Sequence, residues 1–204
     1  MVTPNLDGDA AVLHRHWSDV AFYTTVGIFA LLEQRTRLRS AFNRHGSRAD
    51  KGSLVIVVAS VAAGVVGAFF LASDLPGAAI TAGRWPAFVV GLVLMWAGIM
   101  IRQWAIILLG RFFTVDIRVQ PGQTVVDRGP YQWVRHPSYS GLLLALGGLA
   151  LASGDVLSLA AAAVLGGAGL TVRIRAEERQ LTQALGAEYQ RFAAHRKRLL
   201  PGVW

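Results

Sequence analysis

Residues 129 to 141, GPYQWVRHPSYSG, set Tyr131, Arg135, His136 and Tyr139 beside two apolar segments. Polar groups that costly to keep at a membrane edge usually have a function. Downstream, RIRAEER places Arg173 and Glu177 four residues apart, and so on one helix face. Each feature taken singly has a simpler role. His136 before Pro137 can end a loop and donate to a backbone carbonyl, and Tyr131 and Tyr139 can sit in an interfacial aromatic belt. An i,i+4 ion pair on a solvated helix is common and contributes little. Taken together, a loop with an imidazole and two phenols, followed by a helix with an acid and an arginine, makes a ligand pocket the better reading.

The elements that must position these residues are apolar. The chain has 204 residues, 53% of them hydrophobic and only 16% charged, with a mean hydropathy of +0.44, far from a soluble domain of this length. Five apolar stretches are compared with the ~20 residues that cross a ~30 Å hydrocarbon core. Residues 53–73 and 85–110 have full length, and the second carries Trp85, Trp96 and Trp104 as interface anchors. Residues 17–32 are fewer and include Asp19, and they can cross with a tilt or lie partly in the interface. Residues 138–153 and 155–172 are short, Gly- and Ala-rich and separated by Ser153-Gly154-Asp155, which predicts a tight helical hairpin. The fold class is therefore an all-α integral membrane protein of about five transmembrane helices, with cytoplasmic helices after the hairpin. No second domain or repeat is visible.

Seventeen of the 20 Lys and Arg fall within residues 33–51, 111–135 and 173–198. Cationic loops stay cytoplasmic, which predicts an outward N-terminus, an inward C-terminus, and a cytoplasmic face built from residues 111–137 and 173–204. Arg102 lies inside the third span, and snorkelling to the cytoplasmic end is its simplest reading. In the tail, apolar residues recur at helical spacing from Ile174 to Phe192, with Gly186 as a break between two short helices. Arg191 to Arg198 read as a run lying against anionic headgroups. The formal charge of +8 sits between apolar runs and makes no soluble basic face, which argues against nucleic acid as a partner. The absence of Cys excludes disulfides and thiolate sites, and His14, His16, His45 and His195 lack metal-ligand spacing. The first residues carry acids and no basic stretch before Trp17, which predicts no cleaved signal peptide.

GPYQWVRHPSYSG, a short apolar hairpin, and RIRAEERQLTQALGAEYQRF, in that order, resemble the isoprenylcysteine carboxyl methyltransferase family of integral membrane enzymes over about residues 120 to 201. The recurring features are GPYxxxRHPxYxG, RxxxEE, and GxxY followed by a basic-Pro segment, here Arg198 and Pro201. The resemblance implies a pocket for S-adenosylmethionine without a Rossmann sheet, and no GxGxxG follows a predicted strand. Carried over position by position, it assigns Gln123, Thr124, Val125 and Val126 to a cofactor segment, with Gln123 standing where the family often has His. It assigns Tyr131, His136, Pro137, Ser138 and Tyr139 to the cofactor motif, Glu177 to the cofactor-binding acid, and Arg173 to the arginine that orients the substrate.

Those residue types suit that chemistry. A sulfonium, an ammonium, ribose hydroxyls and an adenine call for an acid, hydrogen-bonding groups and aromatic faces. A carboxylate substrate is ionised at neutral pH and needs alignment rather than a general base, which an arginine fork provides. The expectation is methyl transfer from S-adenosylmethionine to the carboxylate of a lipophilic, isoprenoid or lipid-like substrate that enters from the bilayer among membrane lipids. N-methylation of a lipid amine, a nicotinamide-dependent reductase of the sterol-reductase kind, and a non-catalytic membrane scaffold stand as alternatives.

Overall fold

The computed structural model describes residues 6–42, 84–154, 156–202 and 204, together with Gly52, Val55 and Ala59. The predicted span 53–73 lies, apart from Val55 and Ala59, outside the described residues. Among them the protein is helical, with no strand: α1 (Leu6–Phe42), α2 (Arg84–Leu109), α3 (Pro137–Ser153), α4 (Val156–Ala161), α5 (Gly167–Leu185) and α6 (Ala187–Ala194). A π-helical turn, Ala162–Gly166, makes α4 and α5 one continuous rod. The helical runs Arg84–Phe112 and Leu159–Leu185 are long and apolar enough to cross a membrane, and Pro137–Ser153 is a shorter apolar helix.

The first helix outruns its apolar stretch. The sequence reads residues 17–32 as a segment that crosses with a tilt or lies partly in the interface, whereas α1 has 37 residues, about 55 Å at 1.5 Å per residue. Backbone hydrogen bonding continues through the charged ends, because nothing between Asp9 and Phe42 except Gly27 opposes a helix. α1 and α2 run in the same direction. Val26, Phe29 and Leu32 pack on Met95 and Ile99, Glu33 pairs with Arg102, and Ser40 meets Val115.

Among the described residues the closest helix packing is between α2 and α3 rather than within the predicted hairpin. Gly91 and Gly98 on α2 are seven residues apart, as are Gly141 and Gly148 on α3, and the two pairs oppose each other. A Cβ on Gly98 would stand 2.4 Å from the Ala145 nitrogen, and one on Gly148 2.4 Å from the Met95 nitrogen. The antiparallel backbones are thus in direct contact, as small residues permit in membrane helices. Across the hairpin the spacing is ordinary, with a Cβ at Gly166 falling 3.7 Å from the Leu143 side chain. The hairpin's turn forms as expected, Gly154 (φ 76°) ending α3 and donating to the Leu151 carbonyl. The predicted break at Gly186 also forms, at φ 55° and ψ −128°, between α5 and α6.

Gly98→Ala should lower the unfolding free energy in detergent by about 1–3 kcal/mol, the usual cost of overpacking. Gly147→Ala, which meets nothing within 4 Å, should be neutral or raise stability by up to ~1 kcal/mol. Thermal or denaturant unfolding of the two variants checks the contrast.

Candidate active site

α3 begins where the sequence commits it to begin. His136, at φ −125° and ψ 59°, lies outside the helical region, and Pro137 at the first helical position has a φ already suited to the turn and lacks only an N–H that would have no helical partner. This start projects Tyr139 toward Glu177 and Arg173 on α5 and Ser138 toward Arg102 on α2. Upstream, Gly129 at φ 58° lets the loop lie against α2, where a Cβ would strike Leu108 at 2.5 Å and Trp104 at 3.1 Å. Tyr131 then donates from its hydroxyl to the Ala105 carbonyl at 3.3 Å. With that hydroxyl engaged, Tyr131 offers a ligand its ring.

Between this loop, residues 112–126, α5 and α6 lies a cleft. Its walls include Gln123, Thr124, Val125, Val126, Tyr131, His136, Ser138, Tyr139, Arg173 and Glu177. Ten of the eleven residues singled out in the sequence therefore meet in one place. Pro137 is the exception, fully buried as the first residue of α3 and absent from the cleft wall. At the polar end, the Tyr139 hydroxyl donates to Glu177 Oε2 at 2.7 Å and accepts from Arg173 Nε at 3.1 Å. Arg173 also donates through Nη2 to the Val115 carbonyl. It is 4% exposed, so the pair that a solvated helix would have made unremarkable lies in the wall of the cleft. The other end is apolar, with Leu181, Leu185, Tyr189 and Phe192 facing Val125 and Val126. Burial, reinforced by the Glu177 carboxylate, pushes the Tyr131 hydroxyl well above its ordinary value, and burial together with Glu178 and Glu177 raises Tyr189 likewise. Both phenols are neutral at physiological pH.

The two acids of RxxxEE divide the work. Glu177 faces the cleft, whereas Glu178 holds Arg135 at 3.0 Å, His136 Nε2 at 3.3 Å and Arg198 at 2.9 Å. His136 therefore meets a carboxylate rather than the backbone carbonyl its position before Pro137 allowed. The last residues run beside the motif: Arg135 and His136 donate from their backbone N–H groups to the Lys197 and Arg198 carbonyls at 2.9 and 3.0 Å, and Ser140 Oγ donates to the Leu199 carbonyl at 2.6 Å. Gln123 Oε1 accepts from the Gln120 N–H at 3.0 Å, closing a turn, and the Val125 N–H donates to Glu188 at 3.1 Å. Gln123 through Val126 thus form a braced strip of wall.

Sequence reasoning passed over several residues. Asp116 and Arg118, 3.6 Å apart, also line the cleft, and their only sequence signal was two opposite charges in a short loop between apolar segments. Arg102 does not snorkel. It is 7% exposed, bound to Glu33 by Nε at 2.5 Å and Nη2 at 2.9 Å, and bound by Nη1 to the Ser138 carbonyl and Oγ at 3.1 and 3.2 Å. An acid so close is a better partner than distant headgroups.

The isoprenylcysteine carboxyl methyltransferase (ICMT) family model matches residues 89–183. The matched segment runs from within α2 through the motif loop to the RxxxEE helix, the resemblance already carried by the two motifs, and it leaves out α1 and the residues after Gln183, among them Leu185, Tyr189 and Phe192 of the cleft wall. Among curated relatives, this chain is 37% identical over 105 residues to Protein-S-isoprenylcysteine O-methyltransferase B of Arabidopsis thaliana, covering 50% of this chain and 53% of that protein. It is 34% identical over 111 residues to a probable protein-S-isoprenylcysteine O-methyltransferase of Oryza sativa subsp. indica, covering 53% and 58%. It is 32% identical over 84 residues to the uncharacterized protein YpbQ of Bacillus subtilis, covering 41% and 50%. The chain spans about half the length of the curated relatives it matches.

Glu178→Ala should release Arg135 and Arg198 from a largely buried carboxylate and cost about 2–3 kcal/mol. Limited trypsin digestion is expected to cut near Arg196 to Arg198 faster in the variant, while Glu178→Gln, which still accepts hydrogen bonds, should show a smaller effect.

Proposed function

We propose that the protein is a membrane methyltransferase that uses S-adenosylmethionine to esterify the carboxylate of a lipophilic substrate. The observation that carries this reading is the Glu177–Tyr139–Arg173 array, an acid and an arginine bridged by one phenol in a cleft whose far end is apolar and aromatic. The donor set fits the cofactor's chemistry: Glu177 offers a carboxylate to its cationic groups, and the wall formed by Tyr189, Phe192, Leu181 and Leu185 suits a flat heterocycle. When bound, S-adenosylmethionine supplies an electrophilic methyl group. Arg173 holds one oxygen of the acceptor carboxylate by a charge-assisted hydrogen bond, leaving the second to attack. Its fork is already fixed by Tyr139 and Val115, so its orientation is set before the acceptor arrives. No group in the array has to remove a proton from an ionised carboxylate.

The relatives named as isoprenylcysteine O-methyltransferases favour a carboxylate acceptor over a lipid amine, and an isoprenoid acid over a nicotinamide-dependent reduction. The parallel course of α1 and α2 supports the five-span reading, for which residues 53–73 have the length and apolarity of a crossing segment. The surface of the α4–α5 rod supports a cytoplasmic site. Its exposed stripe is apolar at Val164 and Val172 and cationic at Arg175 and Arg179, so the helix leaves the hydrocarbon at the level of Arg173. The cleft then opens where a soluble cofactor and a membrane-borne acid can meet.

Calorimetric titration of S-adenosylhomocysteine into the detergent-solubilised protein should show binding, weakened about tenfold or more in Glu177→Ala. Arg173→Ala should instead lower turnover on an S-isoprenyl cysteine acceptor by on the order of a hundredfold with little change in that affinity. Binding of reduced nicotinamide dinucleotide phosphate in place of S-adenosylhomocysteine, or wild-type behaviour of both variants, would reject the assignment.

A further inference from the structure

Two hydrogen-bonded relays start on α1, outside the family segment, and end at the two sides of the array. In the first, Ser40 Oγ, on a residue 3% exposed, accepts the Val115 N–H at 2.7 Å, and the Val115 carbonyl accepts from Arg173 Nη2. In the second, Glu33 takes both Nε and Nη2 of Arg102, whose Nη1 reaches the carbonyl and hydroxyl of Ser138, the residue before Tyr139. One residue, Val115, separates α1 from the arginine, and one side chain, that of Arg102, separates it from the first turn of α3.

We propose that Ser40 and Glu33 are positioning residues of this site, Ser40 setting the arginine that orients the acceptor and Glu33 setting the turn that forms the cofactor wall. The inference rests on the methyl-transfer reading above. Stability alone is a poor account of the Glu33–Arg102 pair, since apolar residues of similar volume often replace a buried ion pair at no loss. What apolar residues cannot supply is direction. Arg102 is a planar fork, and with two of its nitrogens fixed by the Glu33 carboxylate its third can point only along the line that Ser138 occupies. Ser40 acts likewise on Val115. The Val115 N–H and carbonyl belong to successive planar peptide units that meet at one Cα, so anchoring the first to Ser40 restricts where the second can aim its carbonyl, which Arg173 meets. Neither α1 residue lines the cleft, so each acts through the residue it holds.

The two relays end on different partners and predict opposite signatures. Ser40→Ala should lower turnover on an S-isoprenyl cysteine acceptor about tenfold and leave S-adenosylhomocysteine affinity within twofold of wild type. It should also speed amide exchange at residues 113–118, because the Val115 N–H loses its acceptor. Glu33→Gln should weaken S-adenosylhomocysteine binding about tenfold. Should that variant fail to fold around an uncompensated Arg102, the paired change Glu33→Met with Arg102→Met removes both charges and is expected to fold with the same loss of affinity. Equal losses of affinity and turnover in both variants, losses that track the folded fraction, or unchanged exchange at residues 113–118 in Ser40→Ala would overturn the inference. If the wild-type protein neither binds S-adenosylhomocysteine nor methylates the acceptor, the methyl-transfer reading falls, and the exchange measurement alone decides whether Ser40 holds Val115.

Discussion

A guanidinium in an apolar helix has to be neutralised close by, and Arg102 is where this structure meets that demand. It stands on α2 between Ile101 and Gln103, two turns before the helix ends at Leu109, and a lone buried charge there would cost several kcal/mol. Glu33 answers it from α1 and Ser138 answers it from α3. Three helices that share few other polar contacts are thereby fixed in register at one level. The glycine contacts of α2 with α3 act one turn away: Gly98 and Gly141 bring the backbones close enough for the short Ser138 side chain to reach Arg102. Remove the close approach and the arginine has no third partner.

From that level the charged part of α5 is organised by one consequence of helical geometry. Successive residues point about 100° apart, so Glu177 and Glu178 cannot face the same way. One acid is directed into the cleft and its neighbour into the seam between the motif loop and the C-terminal segment. The adjacent acids thus supply one carboxylate for ligand chemistry and one for holding the loop that makes the rest of the wall. Arg135 and His136, two of the polar residues of the motif, are drawn toward the seam by this second acid.

Much of this was legible in the sequence, and what was not has a common cause. The apolar helices, the glycine that ends α3, the break at Gly186 and the meeting of the motif loop with Arg173 and Glu177 rest on local periodicity, on turn chemistry and on a motif resemblance, all readable along the chain. The partners of Arg102 were not, because Glu33 lies 69 residues away and nothing local distinguishes an arginine that snorkels from one that is paired. The packing partner of α3 was missed for a related reason. Its small residues announce a close approach but not a direction, and only the matching seven-residue spacing on α2, seen in three dimensions, decides between neighbours. Ser40 gave no signal, since a serine in a helix is ordinary until a peptide from another element arrives above it.

The C-terminal segment alongside Arg135 and His136 has a bearing on how the chain is made. The walls of the cleft run from Leu109 to Phe192, and the carbonyls of Lys197 and Arg198 receive the N–H groups of Arg135 and His136 in the motif loop. During synthesis the apolar helices can enter the bilayer one after another, but the motif loop waits for Lys197 and Arg198, some sixty residues further along, before its backbone is satisfied. Helix insertion and assembly of the cleft are therefore separate events in time, and the chain spends the interval as a set of apolar helices carrying an open loop.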